Sequence, residues 1–231
     1  MATIDLDTIS TRAIIICAGE VTRWNKYLGV DKHFIEIDDE QILKRTVRLL
    51  KKNGIKDIYI VSKEDKRYAI KGTKQFVPKL NEYNGGVDKF LNSQELWLQK
   101  GRTIVLYGDV YFSEYAMETI VNHNHVDWQL FGRAFGSRIT GCKWGECFAQ
   151  SFYGPHIKQH REMLETAVKL WHREKIRNPS GWQHYRFMIG LPPEKVDTIM
   201  VGDRFVNIDD ETEDFDTKED YIAFMKTTGR K

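Results

Sequence analysis

The chain has few cysteines, no long apolar run and almost no net charge, and each absence removes a class of protein. Its 231 residues include 3 cysteines, Cys17, Cys142 and Cys147, an odd number with no Cys-x-x-Cys spacing. A disulfide framework and a structural zinc site are therefore not expected, and a reducing compartment suits the chain. No apolar stretch approaches the roughly 20 residues of a membrane-crossing helix. The first ten residues, MATIDLDTIS, have neither the basic region nor the apolar region of a secretory signal. A cytoplasmic protein is expected. The 35 basic and 33 acidic residues leave a net charge of +2, without the excess that marks a dedicated nucleic-acid binder. Internal repeats, low-complexity stretches and an obvious linker are also missing, so one domain over residues 1–231 is expected.

What is present is apolar content. Hydrophobic residues make up 41% of the chain, with 12 Phe, 10 Tyr and 6 Trp, which is enough to bury a sizeable core. Arg12 to Cys17 (RAIIIC) is a continuous apolar run of the kind that forms a strand buried on both faces. HFIEI (33–37) is a second strand candidate. From Glu40 to Asn53 the spacing of Leu43, Val47 and Leu50 predicts a helix, with Gly54 where a C-cap glycine belongs. Asp57 to Val61 (DIYIV) completes a strand–helix–strand unit. A helix is predicted over Val87–Gln99, a buried strand over Arg102–Tyr107, and a helix from an N-cap at Ser113 to about Asn122. Further strands are expected at Trp128–Phe135, Glu146–Phe152 and within Thr198–Ile208. Helices are expected at His156–Lys175, Gly181–Gly190 and Lys218–Lys226. The alternation predicts an α/β protein with a mostly parallel sheet and helices on both sides.

The loop after the first strand reads CAGEVTRW and continues NKYLGVDKHFIEI. A loop at the carboxyl end of a parallel strand can turn successive backbone N–H groups toward phosphate oxygens. Gly19 allows close approach because it has no Cβ, and Arg23 and Lys32 bring the positive charge a triphosphate needs. The order of these residues resembles the signature of the sugar-phosphate nucleotidyltransferases and their relatives, the molybdenum-cofactor guanylyltransferases and CMP-sugar synthetases. That signature runs Ala-Ala-Gly-x-Gly-Thr-Arg, a spacer, then Pro-Lys, and here it falls on Ala18, Gly19, Thr22, Arg23 and Lys32. Val21 stands where the family has its second glycine, and Asp31 where it has proline. The resemblance implies a Rossmann-like three-layer α/β/α sandwich that binds a nucleoside triphosphate.

YGDVYF follows the strand at 102–107, so Asp109 is expected at the same sheet edge as the phosphate loop. The resemblance implies that it holds Mg²⁺, which favours one or two carboxylates plus phosphate oxygens. A turn aspartate is the plainer reading of Gly108-Asp109. Near the C-terminus, EDFDTKEDYIAF resembles the family's closing motif, in which Asp214 and Asp216 would be metal ligands. The stretch is densely acidic, and Asp209 or Asp210 could serve equally, or all could form a solvated surface before a helix capped by Thr217.

NGGVDKFLNSQELW lies where the family places its nucleoside contacts, which nominates Gly85, Gly86 and Ser93. Arg133, Arg138, Lys143, Trp144 and Glu146 are candidates for the acceptor site, and a polar loop with packed aromatics is the alternative. The implied reaction is attack by a small acceptor, such as a sugar phosphate, on the α-phosphorus of an NTP with loss of pyrophosphate. Arg23 and Lys32 would be the catalytic cations. A glycosyltransferase of the same fold and a non-catalytic nucleotide-binding relative are the alternatives.

Overall fold

The structure, a computed structural model, describes residues 10–18, 23–79, 88–123, 128–177, 179–191, 202 and 204–231. In chain order these form β1 (Thr11–Ile16), a hairpin of β2 (Glu36–Ile37) and β3 (Glu40–Gln41), α1 (Ile42–Lys52), β4 (Asp57–Val61) and β5 (Lys74–Phe76). Then come α2 (Asp88–Leu91), β6 (Arg102–Tyr107), β7 (Val110–Tyr111), α3 (Glu114–Asn122), β8 (Gln129–Arg133) and β9 (Glu146–Tyr153). α4 (Ile157–His172), α5 (Gly181–Met188), β10 (Phe205–Asn207), β11 (Glu213–Asp214) and α6 (Lys218–Thr228) follow.

A seven-stranded sheet has the order β10-β8-β9-β6-β1-β4-β5. β1 lies parallel between β4 and β6, β5 is parallel to β4, and β10 is parallel to β8. Among the described strands of this sheet, β9 alone runs antiparallel to its neighbours, β6 and β8. Side chains of β1 alternate between two apolar layers. Ala13 and Ile15 pack with Leu43, Val47 and Leu50 of α1 and with Met117 and Ile120 of α3. Ile14 and Ile16 pack with Leu164, Ala167 and Val168 of α4 and Tyr185 of α5. Burial on both faces is why the strand reads as an unbroken apolar run. The result is the mostly parallel α/β/α sandwich that the sequence predicts.

Local chemistry sets the element ends. Gly54, with φ of 86°, follows α1, and Gly229, with φ of 67°, caps α6. Ser113 accepts a hydrogen bond from the Ala116 N–H at the start of α3, and Thr217 and Asp220 cap α6 reciprocally. Arg102, 2% exposed, opens β6 and donates to the carbonyls of Ile120, Val121 and His123, closing the far end of α3.

Two local expectations are corrected, and one strand, β5, goes unanticipated. HFIEI is not a strand of the main sheet: Lys32–Phe34 form a 3₁₀ turn, and β2 pairs only with β3. Asp38 and Asp39, at φ of 52° and 63°, fold the chain back there. The helix expected over 87–99 is the short α2 and a separate 3₁₀ turn at Gln94–Leu96. Ser93 donates its hydroxyl to the Phe90 carbonyl at 2.7 Å and interrupts the run between them. β5 is an edge strand of three residues, KQF, too short and too polar to be recognised by pattern. Of the expected strands at 198–208, β10 is present, and 198–201 and 203 lie outside the described residues.

Candidate active site

β1 and β6 end at the same sheet edge, with Ile16 opposite Tyr107 and the Gly108 N–H donating to the Ile16 carbonyl at 2.9 Å. A Cβ at Gly108 would lie 2.3 Å from Cys17 Sγ and 2.9 Å from the Ile16 oxygen. Only glycine lets the chain pass this close to β1 before it turns to Asp109. β7 then pairs antiparallel with β11, placing Val110 opposite Asp214, while the Phe215 N–H reaches the Asp109 carbonyl at 3.4 Å. Two-residue strands thus draw the C-terminal acidic motif onto the end of β6.

The consequence is a cluster in which Asp109, Asp214 and Asp216 each offer a carboxylate oxygen within 4.8 Å of the others. Lys32 contacts Asp109 and lies 3.3 Å from Asp216 Oδ1. Arg23 lies 2.6 Å from the other oxygen of Asp216. Asp214 Oδ1 is shielded from solvent and receives no hydrogen bond from the described residues. Burial and the neighbouring Asp109 push the Asp214 carboxyl well above the usual carboxylate range, with Lys32 opposing them. For Lys32, burial favours the neutral amine, but Asp109, Asp214 and Asp216 outweigh it and hold the ammonium charged.

The sequence places Arg23 and Lys32 on one exposed loop. Arg23 is exposed, whereas Lys32 is only 8% exposed, buried in the 3₁₀ turn against the acidic cluster. Asp31, at the signature's proline position, is hydrogen-bonded to Arg67 at 2.8 Å and Lys63 at 3.3 Å, which ties this segment to the β4–β5 connection. A cavity of about 240 Å³ opens beside it, walled by Cys17, Ala18, His33, Ser62, Tyr68 and Val77 among others.

Gly19, Thr22, Gly85 and Gly86, and with them Val21, lie outside the described residues. Ser93 corrects the sequence reading. It is fully buried, donating to Phe90 and accepting from the Trp97 indole at 3.1 Å, so its hydroxyl is spent in the core. Of the alternative aspartates, Asp210 accepts from the Ser113 hydroxyl and Asp209 lies 3.8 Å from Arg138. Neither joins the three-carboxylate group.

The proposed acceptor group separates in space. Arg138, Lys143 and Trp144 are exposed on the β8–β9 turn. Arg133 is instead 3% exposed and forks onto both carboxylate oxygens of Glu213, at 3.0 and 3.2 Å. With the Ser137 hydroxyl also donating to Glu213, this pair fixes the residue directly before Asp214. Glu213 escaped the sequence reading, although it is the first residue of the EDFD motif. Glu146 stays near the site, where burial and Asp216 push its carboxyl up to about 7.

The comparisons agree with this architecture. The model of the MobA-like NTP transferase domain matches residues 13–129. The inositol-1-phosphate CTP transferase from T. maritima is 15% identical with a TM-score of 0.57, covering 95% of this chain and 96% of its own. CTP:phosphocholine cytidylyltransferase from Streptococcus pneumoniae is 12% identical with a TM-score of 0.55, over 94% of this chain and 99% of its own. Rv0371c from Mycobacterium tuberculosis is 13% identical with a TM-score of 0.57, over 94% and 98%. At these identities the likeness is one of fold. No curated protein sequence matches the chain. With a family model that spans half of its length, the chain belongs to the MobA-like NTP transferase domain family, enzymes of the nucleotidyltransferase type.

Proposed function

We propose that the protein joins an NMP from a nucleoside triphosphate to a small phosphorylated acceptor, a sugar phosphate or phosphorylated alcohol, and releases pyrophosphate in an Mg²⁺-dependent reaction. The observation that carries this reading is the meeting of Arg23 and Lys32 with Asp109, Asp214 and Asp216 at one sheet edge. Such a transfer asks the protein mainly for positioning and charge neutralisation. Arg23, exposed and planar, suits the β- and γ-phosphates. Lys32 suits charge on the α-phosphate or the leaving group.

The carboxylates fit a hard divalent cation. They are all oxygen donors, a lysine ammonium already lies among them, and Asp214 Oδ1 has a free acceptor position. Asp109, Asp214 and Asp216 would hold Mg²⁺, which supplies neutralisation of phosphate charge when bound. We assign the nucleoside to the cavity beside Ala18; Gly19, Thr22, Gly85 and Gly86 are proposed as further nucleotide contacts and lie outside the described residues. We place the reaction in the cytoplasm, in keeping with Cys17, Cys142 and Cys147 being in no disulfide among the described residues. Among the described residues, no helix is long and apolar enough to cross a membrane.

The test compares the parent with Asp109→Asn, giving each NTP, Mg²⁺ and a mixture of sugar phosphates and phosphorylated alcohols, with pyrophosphate as readout. Pyrophosphate from the parent alone supports the proposal. Its absence with every NTP, together with hydrolysis of a nucleotide sugar, would transfer the site to a glycosyltransferase.

A further inference from the structure

We infer that Lys32 is an internal counter-cation that occupies the divalent-cation position in the nucleotide-free protein, so that metal binding waits on a phosphate group to draw the lysine away. The inference rests on the reading of Asp109, Asp214 and Asp216 as the metal ligands. It concerns what those ligands hold before any metal arrives.

Lys32 is not a surface lysine resting on an acidic patch. It is 8% exposed, touches Asp109, and lies 3.3 Å from Asp216, so its ammonium stands among the oxygens that a cation would need. A divalent ion and an ammonium a few ångströms apart in a half-buried site repel strongly, and the two cannot share these donors. The carboxylates have little freedom to rearrange around a second cation. Asp109 follows a glycine packed against β1, and Asp214 is held by the β7–β11 pairing and by the Arg133–Glu213 pair before it.

Lysine is the movable partner. A flexible four-carbon stem lets its ammonium leave the cluster without displacing the backbone. A triphosphate over Arg23 offers it new oxygens and brings the negative charge that makes room for a metal. Metal and nucleotide then enter as a coupled pair, and free divalent cation alone is a poor ligand.

The experiment titrates Mn²⁺ into the full chain without nucleotide, following free Mn²⁺ by electron paramagnetic resonance. It compares the parent, Lys32→Met, Lys32→Arg and the double variant Lys32→Met/Asp216→Asn. Lys32→Met keeps the stem and removes the charge, and it is expected to bind Mn²⁺ at least about tenfold more tightly than the parent. Lys32→Arg should stay near the parent, and the double variant should lose the gain. A folded Lys32→Met that binds Mn²⁺ no better than the parent overturns the inference. If Lys32→Met is unfolded without metal, recovery of its far-ultraviolet circular dichroism on adding Mn²⁺ supports the inference, and failure to recover overturns it. Pyrophosphate release by the parent is scored separately. Release without the Mn²⁺ gain sinks the inference and leaves the transferase, and the gain without release does the reverse.

Discussion

Lys32 and Asp216 are 184 residues apart in the chain and 3.3 Å apart in space. That contact joins the segment after β1 to the segment before α6, and it passes the end of β6, where Asp109 stands between them. The cluster is therefore a closure of the fold as well as a candidate site. Its members divide into exposed groups, which answer mainly to ligands, and buried ones, which also support the structure.

Arg23 and Lys32 should separate on that basis. Arg23 is 67% exposed in its side chain, and Arg23→Ala is expected to change stability by less than about 0.5 kcal/mol. Lys32→Ala strands buried carboxylates and is expected to cost about 1–3 kcal/mol in metal-free buffer. Urea unfolding of both variants, beside their NTP turnover, checks this. Both should lose turnover, and equal stabilities would contradict the burial of Lys32.

Gly108→Ala tests the placement of Asp109 without touching its charge. The added methyl meets Cys17 Sγ and the Ile16 carbonyl, so the turn must move. A stability loss of about 1–3 kcal/mol is expected from overpacking. Turnover should fall by at least about tenfold, since small displacements of catalytic groups are costly. Steady-state kinetics under conditions where the variant is folded would expose a neutral substitution.

The Arg133–Glu213 pair is buried, with side chains 3% and 2% exposed. Arg133→Met alone leaves a buried carboxylate without its partner and is expected to cost about 3–5 kcal/mol. Arg133→Met combined with Glu213→Leu should recover much of that loss. A thermal or urea double-mutant cycle reads the coupling, and additive losses would mean the pair does not act as one unit.

Acid stability should depend on His160 and His184. Their rings lie 4.6 Å apart among Trp97, Trp128 and Phe152, and among the described residues none of the four ring nitrogens has a hydrogen-bond partner. Burial pushes His184 down to about 3, and burial together with His184 drives His160 well below its usual value. The unfolded chain takes up these protons near pH 6.5 and the folded one does not. Stability is thus complete above about pH 6.5 and falls as the pH drops below it, by about 2 kcal/mol per histidine at pH 5. Urea midpoints between pH 7 and 5 measure the slope. His184→Phe should make it shallower, and an unchanged slope would refute this account.

Features encoded by neighbours along the chain can be read without the fold. β1, β4 and β6 are legible as apolar runs because parallel strands are buried on both faces, and the start of α3 is legible because Ser113 supplies the oxygen its first turn lacks. Asp109 is legible because only Gly108 separates it from the end of such a strand. Features that depend on partners distant in the chain emerge only once it is folded. Ser93 reads as a nucleoside contact until Trp97 and Phe90 are seen to use its hydroxyl. Arg133 reads as an acceptor cation until Glu213, 80 residues later, takes it into the core. That Asp214 and Asp216 lie beside Asp109, and Asp209 and Asp210 do not, follows from two-residue strands, β7 and β11, too short to leave a pattern. Composition and spacing can show that acids and bases are present. Which of them share a low-dielectric site, and which remain in water, is settled only when the chain closes and the neighbours of each charge are in place.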